Sequence, residues 1–312
     1  MIHFSQLDEE LLSRRLAPPA EKISIVIDTD AFNEIDDQFA ISYAALAPNI
    51  SLEAAYAAPF HNKRSESPAD GMERSFAEIG RLAAKLSSIE PSIAFPVLKG
   101  SKSFLDGREE PVLSDASDDL VQRALGRPRE EPLYVIAIGA PTNIASALLT
   151  EPEIRERIVV VWLGGQPYDW HTAWEFNLKQ DLAASRILFD SGVPLMHVPC
   201  KNVAEHLRVS VPELAHYLHG RNAVSEYLYE IAVRMMNEEH MLSKVIWDAV
   251  PVAWMRQRGL VQSYLAPSPI LTDQLTWSFD PRRHSVRVAY DIDRDGIVRD
   301  LFELIGRVTA AL

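Results

Sequence analysis

Short apolar runs alternate along this chain with polar turns and with segments of helical spacing. Ile23 to Ile27 is a β-branched run opening directly into Asp28, which predicts a strand. Asp37 to Leu46 carries Phe39, Ile41 and Leu46 among alanines and predicts a helix, and Leu52 to Ala58 predicts a second strand. His61 to Gly71 reads as a polar loop broken by Pro68 and Gly71, with a helix over Met72 to Leu86. Pro96 to Leu98 reads as a short extended piece and Lys99 to Pro111 as a mobile stretch. Ser117 to Leu125 is a helix started by Ser117, Asp118 and Asp119. Leu133 to Ile138 and Ile158 to Leu163 are near-continuous apolar strands. A Pro-Thr-Asn turn and a helix through Leu149 follow the first, and Gly164-Gly165 follows the second. Asp181 to Phe189 predicts a helix, Pro194 to Val198 a buried strand, Val211 to Leu260 a helical region, and Val286 to Asp291 a strand before a closing helix.

Strand, glycine or polar turn, helix, strand is the rhythm of a mostly parallel sheet covered by helices. The fold class predicted is α/β: a single doubly wound, mostly parallel sheet flanked by helices. Residues 1–22 read as an N-terminal arm or short helix, over 2–18 and ending at Pro18-Pro19, and residues 23–312 as one domain. No internal repeat or linker interrupts that domain. In open sheets of this kind ligands bind outside the carboxyl ends of the strands. The polar groups just after the strands, Asp28-Thr29-Asp30, His61-Asn62, Thr142-Asn143 and the stretch around Glu175, are therefore expected to meet in one cleft. Asn143 itself reads as a turn and helix-capping residue.

Composition narrows the partners. With 44 acids against 31 bases the formal net charge is −13, which disfavours a nucleic-acid backbone. The charged N-terminus is no signal peptide, and no window reaches the apolar length of a membrane span. No membrane partner and a cytoplasmic location are expected. The single cysteine, Cys200, follows a hydrophobic run; it rules out an intrachain disulfide and reads as a buried thiol. Met235, Met236 and Met241 at helical spacing read as core or cleft lining.

The unusual chemistry lies at Asp28, Asp30, Glu34, Asp36 and Asp37, five carboxylates in ten residues at a strand–helix junction. Like charges held together raise each other's pKa unless a cation intervenes. A hard cation with oxygen ligands resolves that conflict, and the absence of histidine or cysteine in the cluster disfavours zinc. A solvated acidic face is the bland alternative. Water activated by one carboxylate beside a cation would make a hydrolase. Phosphoryl transfer from a nucleophilic aspartate is the competing chemistry, but the cluster holds no lysine or arginine to offset phosphate. Farther on, Asp248 lies among Ile246, Trp247 and Val250, where an unpaired carboxylate is costly. Asp291-x-Asp293-x-Asp295-Gly296 resembles the start of a calcium loop, yet Phe302 occupies its closing acid position, so a turn is expected.

DTDAFNEIDDQFA at Asp28 to Ala40 resembles the opening motif of the nucleoside hydrolase family, of the inosine–uridine-preferring type. IGAPTNIASALL at Ile138 to Leu149, WEFN at Trp174 to Asn177 and WDAVPVAW at Trp247 to Trp254 match further family segments in order. The resemblance implies a nucleoside-hydrolase-like fold and Ca²⁺-dependent hydrolysis of the N-glycosidic bond of a small-molecule N-riboside, releasing base and ribose. It implies Asp30, Asp37, Asp248 and the Ile138 backbone carbonyl as calcium ligands, and Asp36 as general base. Asp28 and Glu34 would support them. Asn177 would hold the ribose, Glu175 would reach its 5′-hydroxyl, and Asn62 would lie near the sugar. A homodimer or homotetramer is also implied. A phosphohydrolase, or a non-catalytic ribosyl-binding protein of the same fold, are the alternatives.

Three positions depart from the family. The step from Asp30 to Asp36 is two residues longer than usual, and Trp247 replaces the histidine before the last metal aspartate. Asp169 stands where an asparagine near the 5′ end of ribose is expected. Trp174 and Trp247 are then expected to stack on the leaving base, with His171 replacing the missing leaving-group acid.

Overall fold

The computed structural model describes residues 4, 6–19, 22–107, 110–256 and 259–307. Helix α1 (Glu9–Arg15) is capped by the Asp8 carboxylate, which accepts from the Leu11 N–H. The rest of the arm read over residues 2–18 includes Ile2, His3 and Ser5, which lie outside the described residues. Strand β1 (Ile23–Thr29) leads through the acidic loop into α2 (Asp36–Leu46), then β2 (Ile50–Ala57) and α3 (Pro68–Ile89). Helix α3 starts earlier than the breakers implied. Ser67 caps it, Pro68 sits in the first turn where its missing N–H costs nothing, and Gly71 lies inside the helix. A Cβ at Gly71 would fall 2.0 Å from the Phe60 carbonyl oxygen, so the glycine serves close approach rather than chain breaking.

Strand β3 (Val97–Lys99) follows, and then a segment that does not match the mobile reading. Ser101 and Leu105 are buried, and their N–H groups donate to Asn143 and Asp181; Arg108 and Glu109 lie outside the described residues. Next come α4 (Asp115–Leu125), capped by Ser114, β4 (Leu133–Ala137), α5 (Thr142–Thr150), β5 (Ile158–Leu163), α6 (Phe176–Gln180), α7 (Leu182–Asp190) and β6 (Leu195–Val198). The region read as helical beyond Val211 is interrupted. A two-stranded ribbon of β7 (Arg208–Ser210) and β8 (Ser243–Val245) brackets α8 (Val211–Leu218) and α9 (Ala223–Glu238), and α10 (Ala249–Arg256) follows. Gln257 and Arg258 of that region lie outside the described residues. Strand β9 (Val261–Pro267), the hairpin β10 (Ile270–Leu271) and β11 (Trp277–Ser278), β12 (Ser285–Ile292) and α11 (Arg294–Ile305) complete the chain. The Asp293 carboxylate caps α11 through the Gly296 N–H, as the turn reading of the Asp-x-Asp run expects.

The main sheet runs β3-β2-β1-β4-β5-β6-β12-β9, parallel except for the edge strand β9. Order reverses between β1 and β4, which makes the crevice beyond their carboxyl ends the switch point of a doubly wound sheet. Helices cover both faces, and this explains why the strands show no polar alternation. In β1, Ile25 and Ile27 enter one core with α2, α9 and α10, while Val26 enters the other with α4 and α5. Strand β5 divides likewise, with Val159 and Val161 on one face and Val160 and Trp162 on the other. Each such fully buried aliphatic side chain contributes about 1.5–3 kcal/mol over its exposed state. These strands form a rigid base that delivers Asp30 and Ile138 to adjacent positions at one sheet end.

Candidate active site

A cavity of about 340 Å³ opens at the switch point. Asp30 enters it from the end of β1, Asp36 and Asp37 from the first turn of α2, Ile138 from the end of β4, and Asp248 from the residue before α10. Oxygens of Asp36, Asp37 and Asp248 lie within 4.8 Å of one another. Asp30 stands outside that tight set, although it lines the same cavity and is 2% exposed. Its Oδ2 is fully buried without a hydrogen-bond partner, whereas Asp37 accepts a hydrogen bond from the Thr29 hydroxyl.

Burial first, and the neighbouring acids second, hold Asp30 and Asp248 well above the ordinary carboxylate range. The same causes push Asp37 up to about 8. For Asp36 burial also dominates and raises the value, but the nearby Lys244 ammonium opposes it. Lys244 Nζ lies 3.8 Å from Asp36 Oδ1 and is hydrogen-bonded to Glu34. Burial works against the charge on Lys244, yet Asp36 and Glu34 outweigh it and raise its pKa. Asp36 is thus the one acid of the converging trio that this lysine meets directly. Lysine 244 was not anticipated from the sequence; its only signal there is a cation in a short apolar run just ahead of Asp248.

The longer loop between Asp30 and Asp36 folds back on itself. Asn33 Oδ1 accepts from Asn62 Nδ2 at 2.6 Å, and both asparagines line the cavity. Glu34 sits on the partition between this cavity and a wider groove of about 610 Å³ bordered by α3 and α9. Asp28 supports the cluster from below and does not line the cavity. It is fully buried, and its Oδ2 accepts from Asn143 Nδ2 at 2.9 Å. Asn143 therefore neither caps α5 nor faces the cleft; it joins Asp28 to the Ser101 N–H. Burial pushes the Asp28 carboxyl up to about 7, against the Asn143 hydrogen bond. An Asn143→Ala variant should lose about 1–3 kcal/mol in urea unfolding at about pH 8, where Asp28 is charged, and less at about pH 5.5. An equal loss at both pH values would show that the amide does not serve the carboxylate.

The opposite wall comes from the loop after β5. Gly165, at φ +68°, turns the chain, and Glu175 caps α6. The Glu175 carboxylate accepts from the N–H groups of Gly165, Asn177 and Leu178. Asn177 is buried and donates to the Leu163 carbonyl at 3.1 Å. Gln166, also not anticipated, bridges this loop: its Nε2 donates to the Trp174 carbonyl and its Oε1 accepts from Lys201 N–H. Trp277 of the β10–β11 hairpin donates to the Gln166 carbonyl at 3.1 Å and so holds the loop from behind. Trp174 and Trp247 line the cavity; Trp174 is 51% exposed at its mouth, with Lys179 Nζ 4.4 Å from its ring centre. Cys200 is buried as expected, but in the cavity wall.

The expected residues Asp169 and His171 are not brought to this cavity. Tight turns between Pro167 and Trp170 carry both outward before the chain returns at Trp174. His171 is exposed and packs beside Trp170, and Asp169 lines a different cavity. Met241 is likewise exposed, while Met235 and Met236 are core residues. No helix among the described residues is long and apolar enough to cross a membrane.

Comparison with known proteins agrees with this architecture. The family profile described as "Inosine-uridine preferring nucleoside hydrolase" matches residues 25–299. The pyrimidine-specific ribonucleoside hydrolase RihA of Escherichia coli O1:K1 is 24% identical over 222 residues, covering 67% of this chain and 70% of the relative. RihA of Salmonella typhimurium is 24% identical over 251 residues, covering 75% and 79%. Among solved structures, a plant nucleoside hydrolase superposes with a TM-score of 0.73 at 19% identity, covering 91% of this chain and 99% of that one. A purine-preferring ribonucleoside hydrolase from Gardnerella vaginalis gives 0.72 at 20% identity, covering 91% and 98%. At such identities the structural likeness speaks for the fold; the profile match over most of the chain speaks for descent. This chain belongs to the inosine–uridine-preferring nucleoside hydrolase family.

Proposed function

We propose that this protein catalyses Ca²⁺-dependent hydrolysis of the N-glycosidic bond of a ribonucleoside or related N-ribosyl compound, releasing base and ribose. The observation that carries the proposal is the meeting of Asp30, Asp36, Asp37 and Asp248 with Glu175 and Asn177 in one cavity at the switch point. The donor set fits a hard cation. It is built of carboxylate oxygens, it includes the buried, unpartnered Asp30 Oδ2, and the neighbouring Cys200 thiol is kept protonated by burial. Asp30, Asp37, Asp248 and the Ile138 carbonyl would hold calcium. When bound, it would supply the charge that lets these acids stay ionised together and would order oxygen ligands from sugar and water.

The remaining work belongs to the chain's own residues. Asp36, with Lys244 as its protein counter-ion, takes the proton of the water that attacks the anomeric carbon. The glycosidic bond breaks as positive charge develops on the sugar, and the surrounding carboxylates stabilise that charge. Asn177 holds the ribose hydroxyls, Glu175 meets the 5′ end, and Asn62 closes the sugar side. Trp174 and Trp247 offer ring faces to the departing base. The departing base takes its proton from water at the open mouth of the cavity, since His171 is turned away from it.

The direct test incubates calcium-loaded protein with a panel of purine and pyrimidine ribonucleosides and assays free base and reducing sugar. Release from at least one member is expected. Phosphate release from generic phosphoesters, or tight nucleoside binding with no sugar release, would overturn the assignment.

A further inference from the structure

The loops that wall the candidate active site have a second side. Gln166 and Lys201 face the catalytic cavity, whereas Pro167, Tyr168 and Asp169 of one loop and Asn202 of the next line a separate cavity of about 470 Å³. The far wall of that cavity is the β9–β12 pair. Tyr264 and Tyr290 project from adjacent antiparallel strands with ring centres 5.9 Å apart and planes 54° apart, and they are 44% and 54% exposed. Two tilted rings of this kind make an open corner rather than a packed stack.

Tyr168 supplies a third ring, and its position is set by the core. It stacks on buried His197 at 5.3 Å, its hydroxyl is 3.2 Å from His197 Nδ1, and it forms T-shaped pairs with Trp277 and Phe279. Asp169 is exposed and forms no ion pair with a described cation. It lies close enough to Tyr264 that its charge, adding to burial, raises the phenol pKa.

Aromatic faces carry negative potential and attract cations, most strongly those whose weak hydration makes desolvation cheap. A carboxylate beside such rings adds a fixed counter-charge. A neutral apolar ligand would leave Asp169 partly desolvated without a partner, and an anion would be repelled. We propose that this corner is a binding site for a small organic cation, a quaternary ammonium or guanidinium group, seated against Tyr168, Tyr264 and Tyr290 with Asp169 as counter-ion. It shares no lining residue with the catalytic cavity, so it stands whether or not the nucleoside reading holds. It also gives Asp169 a partner in the place where the fold puts it.

The test titrates the full-length protein with choline and with methylguanidinium at constant ionic strength, by calorimetry and by chemical-shift perturbation. The neutral isostere 3,3-dimethyl-1-butanol serves as control. Saturable binding of at least one cation is expected, with the isostere weaker by about tenfold or more. Asp169→Asn, an exposed change that leaves the core intact, should weaken cation binding by about tenfold. A Tyr264→Leu, Tyr290→Leu double variant should abolish it. No binding of either cation at tens of millimolar, equal binding of the isostere, or binding unchanged in both variants would overturn the proposal. So would self-association that choline reverses in sedimentation, because a second copy's cationic side chain would then be the occupant.

Discussion

An Asp36→Asn variant will lose on the order of 10²–10⁴-fold in kcat for release of base and ribose, with calcium affinity and KM changed far less. The expectation follows from how the acids divide. Asp36, Asp37 and Asp248 converge within 4.8 Å, so proximity alone does not say which is the base. Lys244 separates them, because it lies against Asp36 and satisfies that carboxylate with a protein cation. Asp30, with a buried unpartnered oxygen, depends more on an external ion. Replacing Asp36 by its isosteric amide keeps the packing and the lysine contact but removes the proton acceptor. Replacing Asp37 or Asp248 in the same way should instead weaken calcium binding, with activity recovered in part at higher calcium. Single-turnover assays with calcium titrated separately distinguish these outcomes. Base release that survives Asp36→Asn unchanged would remove Asp36 from the role of base.

The second large effect concerns stability. Without a divalent ion, Lys244 offsets Asp36 alone among the converging acids, and the rest of the cluster relieves its charge by binding protons. Asp37 is pushed up to about 8 and Asp28 to about 7, against about 4 for an unfolded aspartate. Asp30, Asp36 and Asp248 are also raised. The folded state therefore holds more protons than the unfolded state between these values. Stability from Asp28 and Asp37 is fully present below about pH 4 and is lost as pH rises through about 7–8, and the other three acids act in the same direction. Calcium bound as proposed would oppose the loss, since it would hold the ionised acids and so be linked to folding by mass action. The gap in thermal midpoint between calcium-saturated and chelator-treated protein should open from near zero at about pH 5 to about 5–10 °C at about pH 8. Glu53, Glu205 and Glu213, whose values are lowered and which lie in ion pairs elsewhere, contribute equally to both forms and cancel in the gap. Differential scanning fluorimetry across pH reads it directly. A gap that is absent, or constant with pH, would count against a cation held by these carboxylates.

Much of the candidate site is legible in the sequence. The β-branched run ending at Asp28, the Asp-Asp pair opening a helix and an isolated Asp248 among apolar neighbours each carry a local physical signature. Carboxylates beside a buried strand are costly wherever the chain folds, so the cluster marks itself in the sequence as a place where the charge must be offset. Gly71 misled because its role is a contact with the Phe60 carbonyl, which no local pattern announces. The same is true of Asn143, whose partner Asp28 lies 115 residues away. Lys244 gains meaning only because the β7–β8 ribbon brings it to Glu34, 210 residues earlier. The resemblance puts Asp169 in the cleft at the position of an expected asparagine, and His171 there in place of the missing leaving-group acid. The turns after Pro167 send them to the other side of the loop instead.

By itself the sequence determined the alternation of strands and helices, the parallel sheet and the acidic cluster at its first switch, because these follow from local periodicity and from the cost of burying charge. Only the tertiary structure decided which acids converge, that a lysine stands beside Asp36, and which residues face the cavity. Those outcomes depend on loop paths and on contacts between segments far apart in the chain, and side-chain direction at a turn is set by what packs behind it.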